Sequence, residues 1–192
     1  KHGEFASPVV RTALFGAIDR TRMVDEVFAG AAAKATGPIA PSSPWYDPAA
    51  DPAVKYDRTA SRKALQAAGW TRKDSGWYLP KAAKPLALEV LSPDRKSNPQ
   101  AWAAARQVVS DWRRMGFETT HVGLPVAEFV DRLTKGDFQA AVADVTVGLD
   151  PDLYPLLASS QTVTGGSNVA GVQDPALDAV LFLTPRNSQV DV

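Results

Sequence analysis

The chain has 192 residues, 45% of them hydrophobic and 22% charged, with 21 Lys and Arg set against 21 Asp and Glu. That composition excludes a disordered or collagen-like chain, supports one domain with one core, and leaves no basic excess to concentrate nucleic acid. With no cysteine there is neither a disulfide framework nor a thiolate metal site, and no apolar run reaches the roughly 18 to 20 residues of a membrane-spanning helix.

The sequence begins at Lys1 without an initiator Met or a signal-peptide core, so a processed or engineered N-terminus is expected. Val10, Leu14, Ala17 and Ile18 then fall at helical spacing, and Val24, Val27 and Phe28 repeat it after the polar interruption Asp19-Arg20-Thr21. Two short helices or one bent helix are predicted, stopped at Gly30. Residues 36–52 hold five prolines, Pro38, Pro41, Pro44, Pro48 and Pro52, too many for a helix interior or a central strand. A long loop is expected there, and loops of that length are usually functional or linkers. Trp45 and Tyr46 inside it argue against a plain linker.

Asp57 is placed to cap a helix running through Ala60, Ala64, Leu65 and Ala68, with Gly69 as its left-handed stop. Asp74-Ser75-Gly76, between the aromatics of residues 70–79, predicts a hairpin-like turn. From Pro85 the pattern becomes regular. Leu86, Leu88 and Val90 alternate as a strand, and Trp102, Ala105, Val109 and Trp112 mark one face of a helix ending at Gly116. A second strand follows over 117–122. Pro125 opens a helix through Phe129, Val130 and Leu133 to Gly136, and an apolar run over 138–147 closes the series. Strands joined by helices predict parallel, right-handed crossovers, hence an α/β layer in which residues 138–145 form a strand buried on both faces.

In open α/β sheets, ligands bind beyond the carboxyl ends of the strands, which points to residues 92–98 and 144–154. Asp144 ends the apolar strand, and a carboxylate there must meet solvent or find donors. It is either a ligand contact or, on the simpler reading, a strand-end aspartate bonded to a neighbouring turn. Thr146 and Gly148 offer hydroxyl and backbone groups to a ligand, or are ordinary loop residues. Trp45 either covers a ligand with its ring or pins the Pro-rich loop to the core. Asp150 before Pro151 fits a helix cap followed by Pro at the first helical position.

Catalytic and metal chemistry find little footing. His2 lies at the chain start, and His121 sits in a strand without metal-ligand spacing, as a structural histidine would. Asp150 and Asp152 flank a helix start, which does not give the opposed environments an acid–base pair needs. No serine sits in a nucleophile elbow, and Gly165-Gly166 reads as a turn in place of a phosphate loop. No catalytic residue, metal site or cofactor is expected, and a hydrolase on the same α/β layer is the distant alternative.

Val10-Arg11-Thr12-Ala13-Leu14 through Ala17-Ile18-Asp19-Arg20 resembles the family 5 solute-binding proteins of ABC importers, the peptide and nickel group. The likeness continues in order through Gly37-Pro38-Ile39, Trp45-Tyr46, Tyr56-Asp57, Ala64-Leu65 and Ala67-Ala68-Gly69-Trp70. It runs on through Met115-Gly116-Phe117, Asp150-Pro151-Asp152, Asn168, Gly171, Pro175 and Leu177-Asp178, so it covers almost the whole chain. Each motif is short, and the shared order gives the resemblance its strength.

The resemblance implies an α/β, periplasmic-binding-protein-like lobe with a small, mostly parallel or mixed sheet flanked by helices. This would be the second, carboxyl-side lobe of a two-lobed receptor, cut from a longer chain. Residues 1–192 are then one lobe, with a helical and Pro-rich part (1–84), a strand-and-helix part (85–182) and a tail (183–192). The implied ligand is an oligopeptide, with a metal chelate, an oligosaccharide or another small solute as the alternative. An ABC permease is the implied partner of a monomeric receptor outside the cell or in the periplasm, held to the membrane only by an upstream lipid anchor. Trp45, Asp144, Thr146 and Gly148 are expected on the ligand side, with Asp150 holding the adjoining helix. Peptide-binding relatives often carry a tryptophan and an aspartate before the Asp-Pro pair, the aspartate fixing the peptide's amino group. Here Asp144 and Val147 stand at those places, a departure from the dipeptide-binding pattern.

Overall fold

A computed structural model describes residues 3–49, 54–147, 152–162 and 166–183. His2, Pro52, Gly148, Asp150, Pro151, Gly165 and residues 184–192, for which the sequence carried expectations, lie outside the described residues. The chain divides into two compact units. One comprises Lys1–Lys34, Ala53–Phe129 and Phe138–Asp144; the other comprises Ala35–Pro52, Val130–Asp137 and Val145–Val192.

The first unit opens with two short helices, α1 (Pro8–Gly16) and α2 (Arg20–Val27). Asp19 separates them: its backbone leaves the helical region at φ −78° and ψ 84°, and its side chain accepts from Arg22 N at 3.0 Å to cap α2. Ala29 and Gly30 follow with positive φ of 50° and 76°, which stops the second helix where the sequence placed the stop. Asp57 caps α3 (Arg58–Ala67) by accepting from Ala60 N at 2.8 Å. The strands β1 (Thr71–Lys73) and β2 (Gly76–Tyr78) then form an antiparallel hairpin in which Lys73 faces Gly76, leaving Asp74 and Ser75 as the turn.

The parallel sheet is built from β3 (Ala87–Pro93), β4 (Glu118–Leu124) and β5 (Ala140–Ala141) in the order β4-β3-β5, with α4 (Pro99–Met115) between β3 and β4 in the chain and α5 (Val126–Lys135) between β4 and β5. Both pairings of β3 are parallel, as helical connections require. The central strand is therefore β3, in which Leu88, Val90, Leu91 and Ser92 are all buried. The expectation of a long strand over 138–145 buried on both faces is corrected. Only Ala140–Ala141 pairs, Val142 N adds one bond to Leu91 O at 2.8 Å, residues 138–142 are half-buried and 143–145 are exposed. An apolar run of small side chains reads the same whether it pairs along its length or only at one point.

Helix α4 packs on β3 and β4, and its apolar face supplies Ala105, Val108, Val109, Trp112 and Met115 to the core. Leu88 and Val90 meet them from the sheet, and Val10, Leu14, Leu65, Trp70, Trp77 and Phe117 complete the cluster. Fully burying such a side chain contributes about 1.5–3 kcal/mol. The large aromatics also find partners for their N–H groups. Trp77 stacks on Phe117 at 5.7 Å and donates Nε1–H to Met115 O at 3.0 Å, while Trp112 donates to Leu14 O at 3.0 Å and ties α4 to the end of α1.

In the second unit, α6 (Tyr154–Leu157) packs against α7 (Pro175–Leu183). Asp178 Oδ1 accepts from Ser159 N at 2.8 Å. Asn168 is buried and fully used: Nδ2 donates to Ala158 O and Val172 O at 3.0 and 2.9 Å, and Oδ1 accepts from Val172 N at 3.0 Å. The Pro-rich segment carries no helix or strand over its described residues and turns on a buried Ser43, whose N–H donates to Ala40 O at 2.9 Å.

Candidate functional site

At the carboxyl edge of the parallel sheet, Asp94 N donates to Leu124 O at 2.7 Å and ties the ends of β3 and β4 together. Its carboxylate closes a tight turn by accepting from Ser97 N at 2.7 Å. That backbone donor, with the Ser97 hydroxyl and Lys96, holds the Asp94 carboxyl below the ordinary carboxylate value. Asn98 follows as the cap of α4. Its backbone is extended, its Oδ1 accepts from Ala101 N at 2.9 Å, and Pro99 occupies the first helical position where no N–H is needed.

The free end of the Asn98 side chain reaches Asp144. Nδ2 donates to Asp144 Oδ2 at 2.5 Å, across a sequence separation of 46 residues. Asp144 is exposed, and Oδ1 makes no bond among the described residues. The strand-end aspartate thus takes its donor from a helix-capping amide, where a turn backbone was expected. A carboxylate with a free oxygen, set beside the amino end of a long helix, can receive an ammonium, a guanidinium or an amide N–H from a ligand. Sequence reading stopped short of Asn98, although it lies inside the indicated 92–98 segment. Asn before Pro before an amphipathic run is a cap signal that would have found it.

Of the other expected residues, Trp45 and Thr146 belong to the second unit. Trp45, in the second unit, is 66% exposed, so it does not pin its loop to a core. Its backbone N–H donates to Ser43 Oγ at 3.2 Å, and the ring is left to solvent. Thr146 is exposed and Val147 half-buried, while Gly148 and Asp150 are outside the described residues.

His121 takes a structural place. Ser92 Oγ donates to Pro93 O at 2.7 Å, so it receives from His121 Nε2–H at 2.9 Å, which fixes the neutral ring with Nδ1 bare. Burial, with Arg106 nearby, pushes its pKa below the ordinary value. Among the described residues no group of three His, Cys, Asp or Glu could hold a metal ion.

A parallel sheet with a capped helix and an exposed carboxylate at its carboxyl edge is the arrangement of an open α/β lobe. The profile of "Bacterial extracellular solute-binding proteins, family 5 Middle" matches residues 1–168, and the chain belongs to that family. Protein XP55 of Streptomyces lividans is 32% identical over 185 residues, covering 95% of this chain and 33% of that protein. Heme-binding protein A of Haemophilus influenzae is 28% identical over 182 residues, covering 92% of this chain and 30% of that protein. The structure of the oligopeptide-binding protein AppA of Bacillus subtilis, in complex with a nonapeptide, superposes with a TM-score of 0.80 at 23% identity. That superposition covers 94% of this chain and 36% of the other. The chain spans about a third of the length of the relatives it matches.

Proposed function

We propose that the full-length protein is the substrate-binding component of an ABC importer, which takes an extracellular oligopeptide between two lobes and hands it to a permease. The observation that carries this reading is the Asp144 carboxylate, exposed beyond the carboxyl ends of the strands and held by the amide that caps α4. Such a group suits a ligand rich in N–H donors and a cationic terminus. Family membership and the nonapeptide in the Bacillus subtilis protein support it. Binding without covalent chemistry is the mechanism: closure of the two lobes selects the liganded state. Trp45 and Thr146, each exposed, and Gly148 are assigned to the ligand one by one, each to be tested by its own variant. A monomer on the outer side of the cell membrane, carried by a lipid anchor upstream, completes the reading.

Val147 motivates a second reading, since it stands where peptide-binding relatives carry the aspartate that fixes the peptide's amino group. A metal chelate or another small solute would need no such anchor, and a heme-binding relative lies within the same family. Mass spectrometry of ligand co-purified with the full-length protein separates the two, with calorimetry against peptide pools as the quantitative arm. Saturable peptide binding that weakens in Asp144→Asn is the expected result. Tight binding of a different solute with none for peptides would overturn the peptide reading and leave the transport-receptor reading standing.

A further inference from the structure

A second feature of the first unit lies away from Asp144. Arg106 and Arg113 follow the Asn98 cap by about 12 and 22 Å along α4, at about 1.5 Å per residue. Seven residues apart, they share one face of the helix. They line an open groove of about 540 Å³ with Val109, Ser110, Arg114 and, from β4, His121. In a chain with no net charge, three guanidinium groups gather there.

Their charge is not cancelled locally. Arg106 lies over the Trp102 ring at 4.7 Å, a contact that steadies the guanidinium without neutralising it. Arg113 donates Nε–H to Thr119 O at 2.8 Å, a neutral acceptor that fixes its orientation and leaves its outer N–H groups. Only Arg114 meets a carboxylate among the described residues: Asp111 at 3.3 Å, already engaged by Arg22 at 2.6 Å. Ser110 adds a hydroxyl to the lining. Guanidinium forks and a hydroxyl lining one groove suit the several oxygens of a tetrahedral oxyanion.

We propose that the groove between α4 and β4 binds a phosphate-type oxyanion, either as free inorganic phosphate or as the phosphate of an anionic lipid headgroup. This site is separate from the one that holds the transported solute. Anion binding there also reports on His121, because a negative charge beside Arg106 makes protonation of the bare Nδ1 easier.

The test uses the full-length protein at low ionic strength. Calorimetry with inorganic phosphate is run beside flotation with phosphatidylcholine vesicles, with and without phosphatidylglycerol. The variants are Arg106→Gln, which removes an exposed group and leaves the core intact, and the double variant Arg106→Gln, Arg113→Gln. Saturable phosphate binding that weakens at least tenfold in the double variant, with solute affinity unchanged, is expected. Recruitment to phosphatidylglycerol vesicles alone, lost in the same variant, assigns the oxyanion to a headgroup. Binding to neither, or binding undiminished in both variants, overturns the proposal.

Discussion

Asn98 and Asp144 are joined side chain to side chain at 2.5 Å, while the same Asn98 amide accepts from Ala101 N at 2.9 Å. One residue thus caps the long helix and holds the exposed carboxylate, and two substitutions separate these roles. Asn98→Ala removes both bonds and should cost about 1 kcal/mol of stability, within the usual range for a lost cap. Asn98→Asp keeps a capping acceptor but sets a second carboxylate against Asp144, which raises the pKa of one of the pair. Its loss of solute affinity should exceed that of the alanine variant at neutral pH and shrink as pH falls towards the carboxylate range. Calorimetry on the full-length protein over that range checks this. Equal affinities at all pH values would remove Asn98 from the site.

The helices were legible because their ends are chemically marked. Asp57 and Asn98 stand where side-chain caps form, and Gly30, Gly69, Gly116 and Gly136 all have positive φ at the predicted stops. The hairpin at Asp74-Ser75 was legible for a similar reason. What could not be read were partners distant in the chain. Nothing near Asp144 in sequence names Asn98, and nothing near Asp111 names Arg22, 89 residues away. The short pairing of β5 was hidden because alanines satisfy a buried and a half-buried strand pattern equally. Trp45 fitted a ligand contact and a loop anchor alike until its exposure removed the anchor.

Asp111, in the last two turns of α4, is fully buried. Its oxygens accept from Arg22 at 2.6 Å, Asp19 N at 3.0 Å and Arg114 at 3.3 Å, so the carboxylate fastens α2 to α4. Asp111→Ala leaves the Arg22 guanidinium facing the interior without its partner, a change that costs about 3–5 kcal/mol. Urea unfolding of the single variant against the double variant Asp111→Leu, Arg22→Met measures the pair. The double variant should recover part of the loss, since it removes both charges of the Arg22 pair while Asp19 N still lacks its acceptor. If it is as unstable as the single one, the ion pair is not what the substitution disturbs.

Gly123 lets Trp102 lie close to β4. A Cβ there would stand 3.1 Å from Trp102 Cδ1, 3.2 Å from its Nε1 and 3.5 Å from Asp94 Cα. Gly123→Ala therefore forces the indole, which has Arg95 and Arg106 at 5.5 and 4.7 Å from its ring, to give by a few tenths of an ångström. Overpacking of this kind costs about 1–3 kcal/mol. Replacing the indole by a smaller ring in Trp102→Phe, Gly123→Ala should restore part of it in thermal melts. Two losses that simply add would show that the ring and the glycine are not in contact.

His121 and Asp94 give the first unit two separate acid-sensitive windows. Burial, and second the charge of Arg106, lower the folded pKa of His121 from its ordinary 6.5. Above that value the ring is neutral in both folded and unfolded chains and contributes no pH dependence. As pH falls below 6.5 the unfolded chain takes up the proton first, so stability declines until the folded pKa is passed. Asp94 behaves in the same direction lower down: its folded pKa is depressed from 3.8, chiefly by the Ser97 N–H, so its stabilising contribution is lost as pH falls through that lowered value. Urea midpoints taken from pH 8 to pH 3 should therefore decline in two stages. His121→Gln should flatten the upper stage and leave the lower one. Arg106→Gln should move the His121 titration, followed by NMR, back towards 6.5, and shorten the upper stage without abolishing it, because burial remains. An upper stage that persists unchanged in His121→Gln would assign the loss to another group.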